Sequence, residues 1–224
     1  MSYLSESAAR VWTRGAAIRP VPGYAVVGEA ALRGIEEELA DGAGDGESAM
    51  DGAFGRFEET QPEVSARILE VLDGPLDETA LALGYFLSIA VWLAFERAFG
   101  VRLTAVTPDA WRATVDALAL EEDLRRTDAD EPLDLDDLLA LEQPDLVAFV
   151  HDHIEAALET ERLCDEGADG DGEAPHAADA ADVAAREVDV EHVRLVYRTI
   201  LLETLALSHA VAARPDEASP ELLA

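Results

Sequence analysis

A run of 17 residues without a charge, 79–95, sets the strongest limit on how this chain folds. The rest of the chain is densely charged, with a formal net charge of −32, so leaving this apolar run in water would be costly. As a helix it would span about 25 Å, which is short of the ~30 Å hydrocarbon core of a membrane. Glu78 precedes it, and Glu96 and Arg97 follow it, without the basic excess of a cytoplasmic membrane flank. The run predicts a helix buried in a protein core, and no membrane contact is expected.

The chain is unusual in its acidic residues, which are in large excess, and in its basic residues, which are of one type. The 48 acidic residues outnumber 16 basic residues, all of them Arg, and the chain contains no Lys and no Asn. Such a charge repels itself in dilute buffer, and salt relieves the repulsion. In this respect the chain resembles soluble proteins of salt-accumulating halophilic archaea, which are a class of composition and not a family. A GC-rich genome would deplete Lys and Asn in the same way, and the sequence does not separate the two causes.

The acidity says little about binding partners. In molar salt the Debye length falls to ~3 Å, so long-range attraction to a basic partner is lost. Binding to DNA without sequence preference depends on Lys and Arg contacts to phosphates, which a net charge of −32 opposes. We therefore interpret the acidity as an adaptation to the solvent.

Cysteine content and the N-terminal sequence limit the chemistry and the compartment. Cys164 is the only cysteine, which excludes an intrachain disulfide and a zinc site built from several thiolates. The N-terminal sequence has no charged start followed by an apolar core, so no secretory signal is predicted and a cytoplasmic location is expected. The chain lacks a Gly-rich phosphate loop, a His-Glu-x-x-His pair and a Gly-x-Ser-x-Gly motif, and we predict no cofactor.

Helix start and stop signals recur along the chain, and no segment shows the sustained alternation of a strand. Pro62 and Thr107-Pro108 are typical of helix starts, because a proline in the first turn loses no hydrogen bond. With 49% apolar residues the chain has enough material for a core. The predicted fold class is all-α, with about seven helices in a single bundle-like domain. The predicted helices of this domain are 28–40, 62–72, 77–99, 107–125, 133–142, 144–164 and 189–213, and a further short helix at 4–14 precedes them.

The chain divides into an N-terminal arm, 1–27, and a helical domain, 28–224. The arm is locally basic, and its prolines end regular structure before the domain begins. Within the domain, Gly and Asp content predicts a loop at 41–52. Residues 165–187 are acidic and rich in Ala and Gly, which predicts a flexible insertion.

The arm interleaves basic and aromatic residues. Arg10 and Arg14 fall on one helical face beside Trp12, and Arg19 follows. Basic residues among aromatics are typical of surfaces that bind single-stranded nucleic acid. Three Arg are few for that role, and packing of the arm against the acidic surface of its own chain is the interpretation we favour.

The chain contains only two Gln residues, and both stand in the same context. Gln61-Pro62 and Gln143-Pro144 are each followed by an acid and an apolar residue, 82 residues apart. This repeat predicts a duplicated helical hairpin and a pseudo-twofold bundle with a groove between its halves. The alternative is that Gln-Pro-acid is a good helix start used twice.

A longer apolar helix follows each copy of this repeat. Tyr85 in the first and Tyr197 in the second align at an offset of 112 residues. The difference between the two offsets corresponds largely to the acidic insertion. Under either interpretation we expect the two apolar helices to pack together at the centre.

The histidines at 151 and 153 are the most conspicuous candidates for metal ligands. On a helix, residues two apart point about 200° away from each other, so His151 and His153 cannot share an ion without a third ligand. His192 and Glu203 are the candidates for that ligand. We favour a structural role, with His153 partly buried and His151 exposed.

The sequence as a whole favours a non-catalytic protein–protein interaction or scaffold module. Its partner would be an unknown protein or a second copy of the chain, because the apolar helices suit dimerisation. A metal-dependent enzyme that uses His151, His153 and helix carboxylates is the first alternative. A nucleic-acid-associated regulator that binds through the arm is the second.

Overall fold

The computed structural model describes residues 18–41, 46–127, 135–168 and 189–214, and within these ranges the protein is all-α. Eight helices and two short 3₁₀ turns pack in one domain without a strand in the described ranges, which confirms the predicted fold class. The helices are α1 (Glu29–Asp41), α2 (Gly46–Thr60), α3 (Pro62–Leu72), α4 (Glu78–Phe99), α5 (Pro108–Thr127), α6 (Leu135–Glu142), α7 (Pro144–Ala168) and α8 (Val190–Ala210).

Local signals set most of the helix ends. α3 begins at Pro62 and α7 at Pro144, as their positions before an acid predict. At the start of α5, Oγ1 of Thr107 accepts a hydrogen bond from the N–H of Ala110 at 3.2 Å. α4 ends where Gly100 takes a φ of 52°, a left-handed conformation that favours glycine.

The uncharged run forms most of α4, which lies at the centre of the protein. α4 packs most extensively against α8 and is also contacted by α1, α2, α3 and α7. Trp92 and Phe95 are among its fully buried side chains. Among the described residues α4 is the one helix long and apolar enough to cross a membrane, and 67% of its apolar window is buried within the protein. The central packing of the two apolar helices is therefore confirmed.

The predicted loop at 41–52 is wrong at Asp41, where α1 ends, and from Gly46, where α2 begins, and residues 42–45 lie outside the described structure. Met50, Ala53, Phe54 and Phe57 recur at the spacing of one helical face and pack against the core. The ring of Phe57 lies 5.4 Å from that of Trp92. Burial of this face outweighs the low helix propensity of the Gly and Asp residues that precede it.

Two further boundaries differ from the sequence predictions. α7 continues to Ala168, so the first residues of the predicted insertion at 165–187 are helical, and the rest lie outside the described ranges. α8 ends at Ala210, short of 213, because Val211 takes an extended conformation and pairs with Leu103. The N–H of Ala212 donates to the carbonyl of Arg102 at 2.8 Å, which completes this pairing. The predicted helix at 4–14 also lies outside the described residues.

Candidate functional site

Gln143 holds the chain segment that leads into α1. Its side chain is buried, and its Oε1 accepts a hydrogen bond from the N–H of Val27 at 2.9 Å. Its Nε2 donates to the carbonyl of Ala25 and to Oγ of Ser208, both at 2.8 Å. The amide thus pairs with this segment much as a neighbouring strand would.

Gln61 holds the segment that leads into α5 in the same way. Its Oε1 accepts from the N–H of Val106 at 2.9 Å, and its Nε2 donates to the carbonyl of Thr104 at 3.1 Å. The bonded carbonyl and N–H again belong to residues two apart. Each Gln lies in one half of the chain and binds a segment of the other half, so the halves are interlocked.

The packing of the helices shows the same correspondence between the two halves of the chain. α1 packs against α4 and α7, whereas α5 packs against α8 and α3. α7 in turn contacts α4, and α3 contacts α8. Exchanging the first four helices for the last four reproduces these neighbours, which is a pseudo-twofold relation about the contact between α4 and α8, although in the described ranges α2 and α3 contact α4 more extensively than α6 and α7 contact α8. This relation supports the duplicated-hairpin interpretation over the reuse of a helix start.

The two central helices also begin alike. Oδ1 of Asp77 accepts from the N–H of Ala80 at 2.8 Å, and Oδ1 of Asp189 accepts from the N–H of Glu191 at 2.9 Å. Nδ1 of His192 lies 3.0 Å from Oδ2 of Asp77. Desolvation raises the pKa of Asp77, but the hydrogen bonds that it accepts outweigh this effect and leave its pKa below the ordinary value. His192 is therefore part of the contact between two helix starts.

A cleft of about 460 Å³ lies between α5 and α8. Residues 104–107 line it, and so do Ile18 and Arg19, the first described residues of the chain. The α5 residues that face it recur at i, i+3 and i+7, which places them on one side of the helix. Small side chains form the α5 wall, namely Ala110, Ala113, Thr114 and Ala117, whereas α8 contributes Leu205, Ala206, His209 and Ala210.

At the pseudo-equivalent position between α1 and α4, an arginine packs on a glycine. A Cβ on Gly34 would lie 2.7 Å from Cζ of Arg97, so the guanidinium of Arg97 rests on this glycine. When α4 and α8 are aligned on their aspartate caps, His209 stands in the place of Arg97. The segment before α1 that bonds to Gln143 can be aligned with the segment before α5 that bonds to Gln61. In this alignment Ala113 corresponds to Gly34. The shorter His209 leaves open the space that Arg97 covers in the other half.

His209 is the titratable group that the cleft presents from α8. Burial lowers its pKa to about 4, and the charge of Arg19 adds to this effect, whereas a backbone hydrogen bond with Arg19 opposes it. Its Nδ1 is buried and has no hydrogen-bond partner within the described ranges. The imidazole is therefore neutral at pH 7.

The histidines at 151 and 153 have separate partners. Nε2 of His151 lies 2.8 Å from the hydroxyl of Tyr197, and Nδ1 of His153 lies 2.8 Å from the carbonyl of Phe149. His153 also packs 5.0 Å from the ring of Phe86. His151 is half-buried, where the sequence prediction was an exposed side chain, because it packs on Tyr197. Within the described ranges, no group of three or more His, Cys, Asp and Glu side chains is arranged to hold a metal ion.

Glu203, the other candidate for a third metal ligand, lies in the centre of α8 and is completely buried. Both of its carboxylate oxygens lack a hydrogen-bond partner in the part of the chain that the structure describes. Burial raises its pKa well above the ordinary value. The sequence contains a signal for this site, because Glu203 is the only charged residue between 199 and 208.

The remaining site residues fall at the edges of the described structure. Arg10, Trp12 and Arg14 lie outside the described residues, and Arg19 lines the cleft. The exposed prolines of the two repeat starts take no part in the cleft.

No protein-family model, no curated protein and no solved structure matches this chain.

Proposed function

We propose that the protein is a non-catalytic interaction module that receives a short apolar segment of a partner protein in the cleft between α5 and α8. The observation that carries this proposal is the asymmetry of the two crevices. Between α1 and α4, Arg97 packs on Gly34. Between α5 and α8, a volume of about 460 Å³ remains open. This volume falls within the ~300–1,000 Å³ typical of ligand pockets.

The walls of the cleft offer apolar contact to a guest. The hydroxyl of Thr104 donates to the carbonyl of Ala210 at 2.7 Å, and that of Thr114 donates to the carbonyl of Ala110 at 3.0 Å. Because these two hydroxyls bond to backbone carbonyls, the methyl groups of the same threonines remain available to apolar side chains of a guest. Apolar side chains of a partner would lose contact with water here without breaking the hydrogen bonds of these two hydroxyls.

A variant that fills the cleft tests this proposal. Ala113→Trp places a large side chain in open space on the exposed face of α5. We expect tagged wild-type protein to capture a specific partner from cytosolic extract of its source in molar KCl, and Ala113→Trp to lose it. Mass spectrometry identifies the partner, and hydrogen exchange with the purified partner should show protection on α5 and α8.

Ala119→Trp is the matched control, because Ala119 is an exposed residue of α5 that does not line the cleft. Capture of the same protein by all three forms would refute the cleft as the binding site. Sedimentation of the purified protein distinguishes a second copy from another protein. A dimer that Ala113→Trp dissociates would identify the occupant as the chain itself.

A further inference from the structure

The N-terminal arm begins at the cleft. Ile18 and Arg19 line the cleft, and residues 1–17 precede them directly. Arg19 is close enough to His209 for its charge to act on the imidazole. Whatever path the arm takes, it starts beside an open apolar cavity of its own chain.

We propose that the arm, 1–17, docks in the cleft between α5 and α8 of the same chain and competes there with the partner. The competition rests on the proposed function, whereas the docking does not.

The arm has the side chains and the reach that this docking needs. Val11 and Trp12 are adjacent large apolar residues, and Trp12 stands six residues before Ile18. Six residues of extended chain reach roughly 20 Å. From Ala110 to Ala117 the cleft wall on α5 is about 10 Å long at the rise of an α-helix. Either side chain can therefore reach any point along this wall.

The charges of the arm suit the surface around the cleft. Arg10 and Arg14 flank the apolar pair, while Asp116 is exposed on α5 close to the alanines that line the cleft, and the neighbouring Asp109 is already paired with Arg112 at 3.0 Å. In a chain of net charge −32, a basic segment gains from lying along its own acidic surface. At high salt this gain survives only for charges in contact, so apolar burial has to supply most of the affinity.

Disulfide formation tests the docking directly. The full chain with Cys164→Ser, which removes its only native cysteine, receives Val11→Cys together with Ala113→Cys. We expect an intrachain disulfide to form under mild oxidation. Val11→Cys with Ala119→Cys is the matched control, and it should cross-link roughly tenfold more slowly, because the second position lies on the other side of α5. Equal rates for the two pairs, or dimers as the main product, would overturn docking within one chain.

Limited trypsin digestion gives a second readout without new cysteines. Arg10 and Arg14 are cleavage sites within the arm. Filling the cleft by Ala113→Trp should speed cleavage at both sites by roughly tenfold or more, because proteolysis follows the population of the open form. Ala119→Trp should leave the rate unchanged. The same rate in the wild type and in Ala113→Trp would overturn the docking.

These experiments separate the two proposals. If the arm cross-links to the cleft but Ala113→Trp loses no partner, the docking stands and the interaction function fails. If a partner is lost but the arm never cross-links, the function stands and the docking fails. Trp12→Ala, which weakens the docked arm, should increase partner capture if both hold, and unchanged capture would refute the competition.

Discussion

Glu203 makes the stability of the folded chain depend on pH. Its carboxyl is completely buried, and burial raises its pKa well above the ordinary value of 4.5. The folded protein keeps a proton that the unfolded chain releases above that value. The contribution of Glu203 to stability is therefore complete below the unfolded pKa and is lost as the pH rises through the folded pKa.

Replacing this acid should stabilise the protein. We expect Glu203→Met to raise the free energy of unfolding at neutral pH by about 1–3 kcal/mol, because a buried apolar side chain needs neither a proton nor a partner. The gain should shrink as the pH falls toward 4.5. Chemical denaturation across this range in constant molar KCl measures it, with the exposed Glu155→Met as a control for the lost charge. A gain that does not vary with pH would contradict this explanation.

His209 should titrate in the opposite sense. Its pKa is lowered to about 4, so its contribution to stability is present above the unfolded value of 6.5 and is lost as the pH falls toward 4. We expect an NMR titration of its ring protons with a midpoint near 4. Arg19→Gln should raise this midpoint, yet leave it below 6.5, because burial is the larger cause. A wild-type midpoint near 6.5 would show that the ring is more solvated than the structure indicates.

At the scale of elements, the two glutamines connect helices that are distant in sequence. Gln143→Ala removes the partners of the Ala25 carbonyl and the Val27 N–H and one of the two partners of Ser208, whose hydroxyl still donates to Thr204, and Gln61→Ala removes the partners of two backbone groups. We expect Gln143→Ala to lower the free energy of unfolding by about 2–4 kcal/mol and Gln61→Ala by somewhat less, since each buried group left unpaired is costly. Thermal and denaturant unfolding test this order. Losses below about 0.5 kcal/mol in both variants would indicate that water replaces the amides.

Helices whose ends depend on neighbouring residues could be predicted from the sequence. Pro62, Pro144 and Thr107 act within a single turn, and the observed helices start where these residues place them. α2 could not be predicted, because what stabilises it is the contact of Phe57 with Trp92, 35 positions away. The repeated Gln-Pro context predicted a relation between the halves, but not that each Gln binds the other half.

At the scale of the whole molecule, the cleft arises from a difference between two similar halves. His209 lines it in the second half, whereas Arg97 packs on Gly34 at the aligned position of the first half. The offset of 112 residues that aligns Tyr85 with Tyr197 also aligns Arg97 with His209, but the sequence does not indicate that this difference lies beside a cleft. The sequence-based candidates at His151, His153 and His192 drew on residue type, and the structure gives each of them a separate structural partner.

The interlocked glutamines also affect how the chain is made. The N–H of Val27 bonds to a side chain 116 positions later, so this hydrogen bond cannot form until most of the chain has been synthesised. At ribosomal rates that delay is roughly 6 to 23 seconds. Until Gln143 is made, the segment before α1 lacks its hydrogen-bond partner, and the apolar face of α4 lacks α8 for longer still, until residues 190–210 have been made. The newly made first half therefore exposes the apolar face of α4 to aggregation, and the synthesis of α8 ends that exposure.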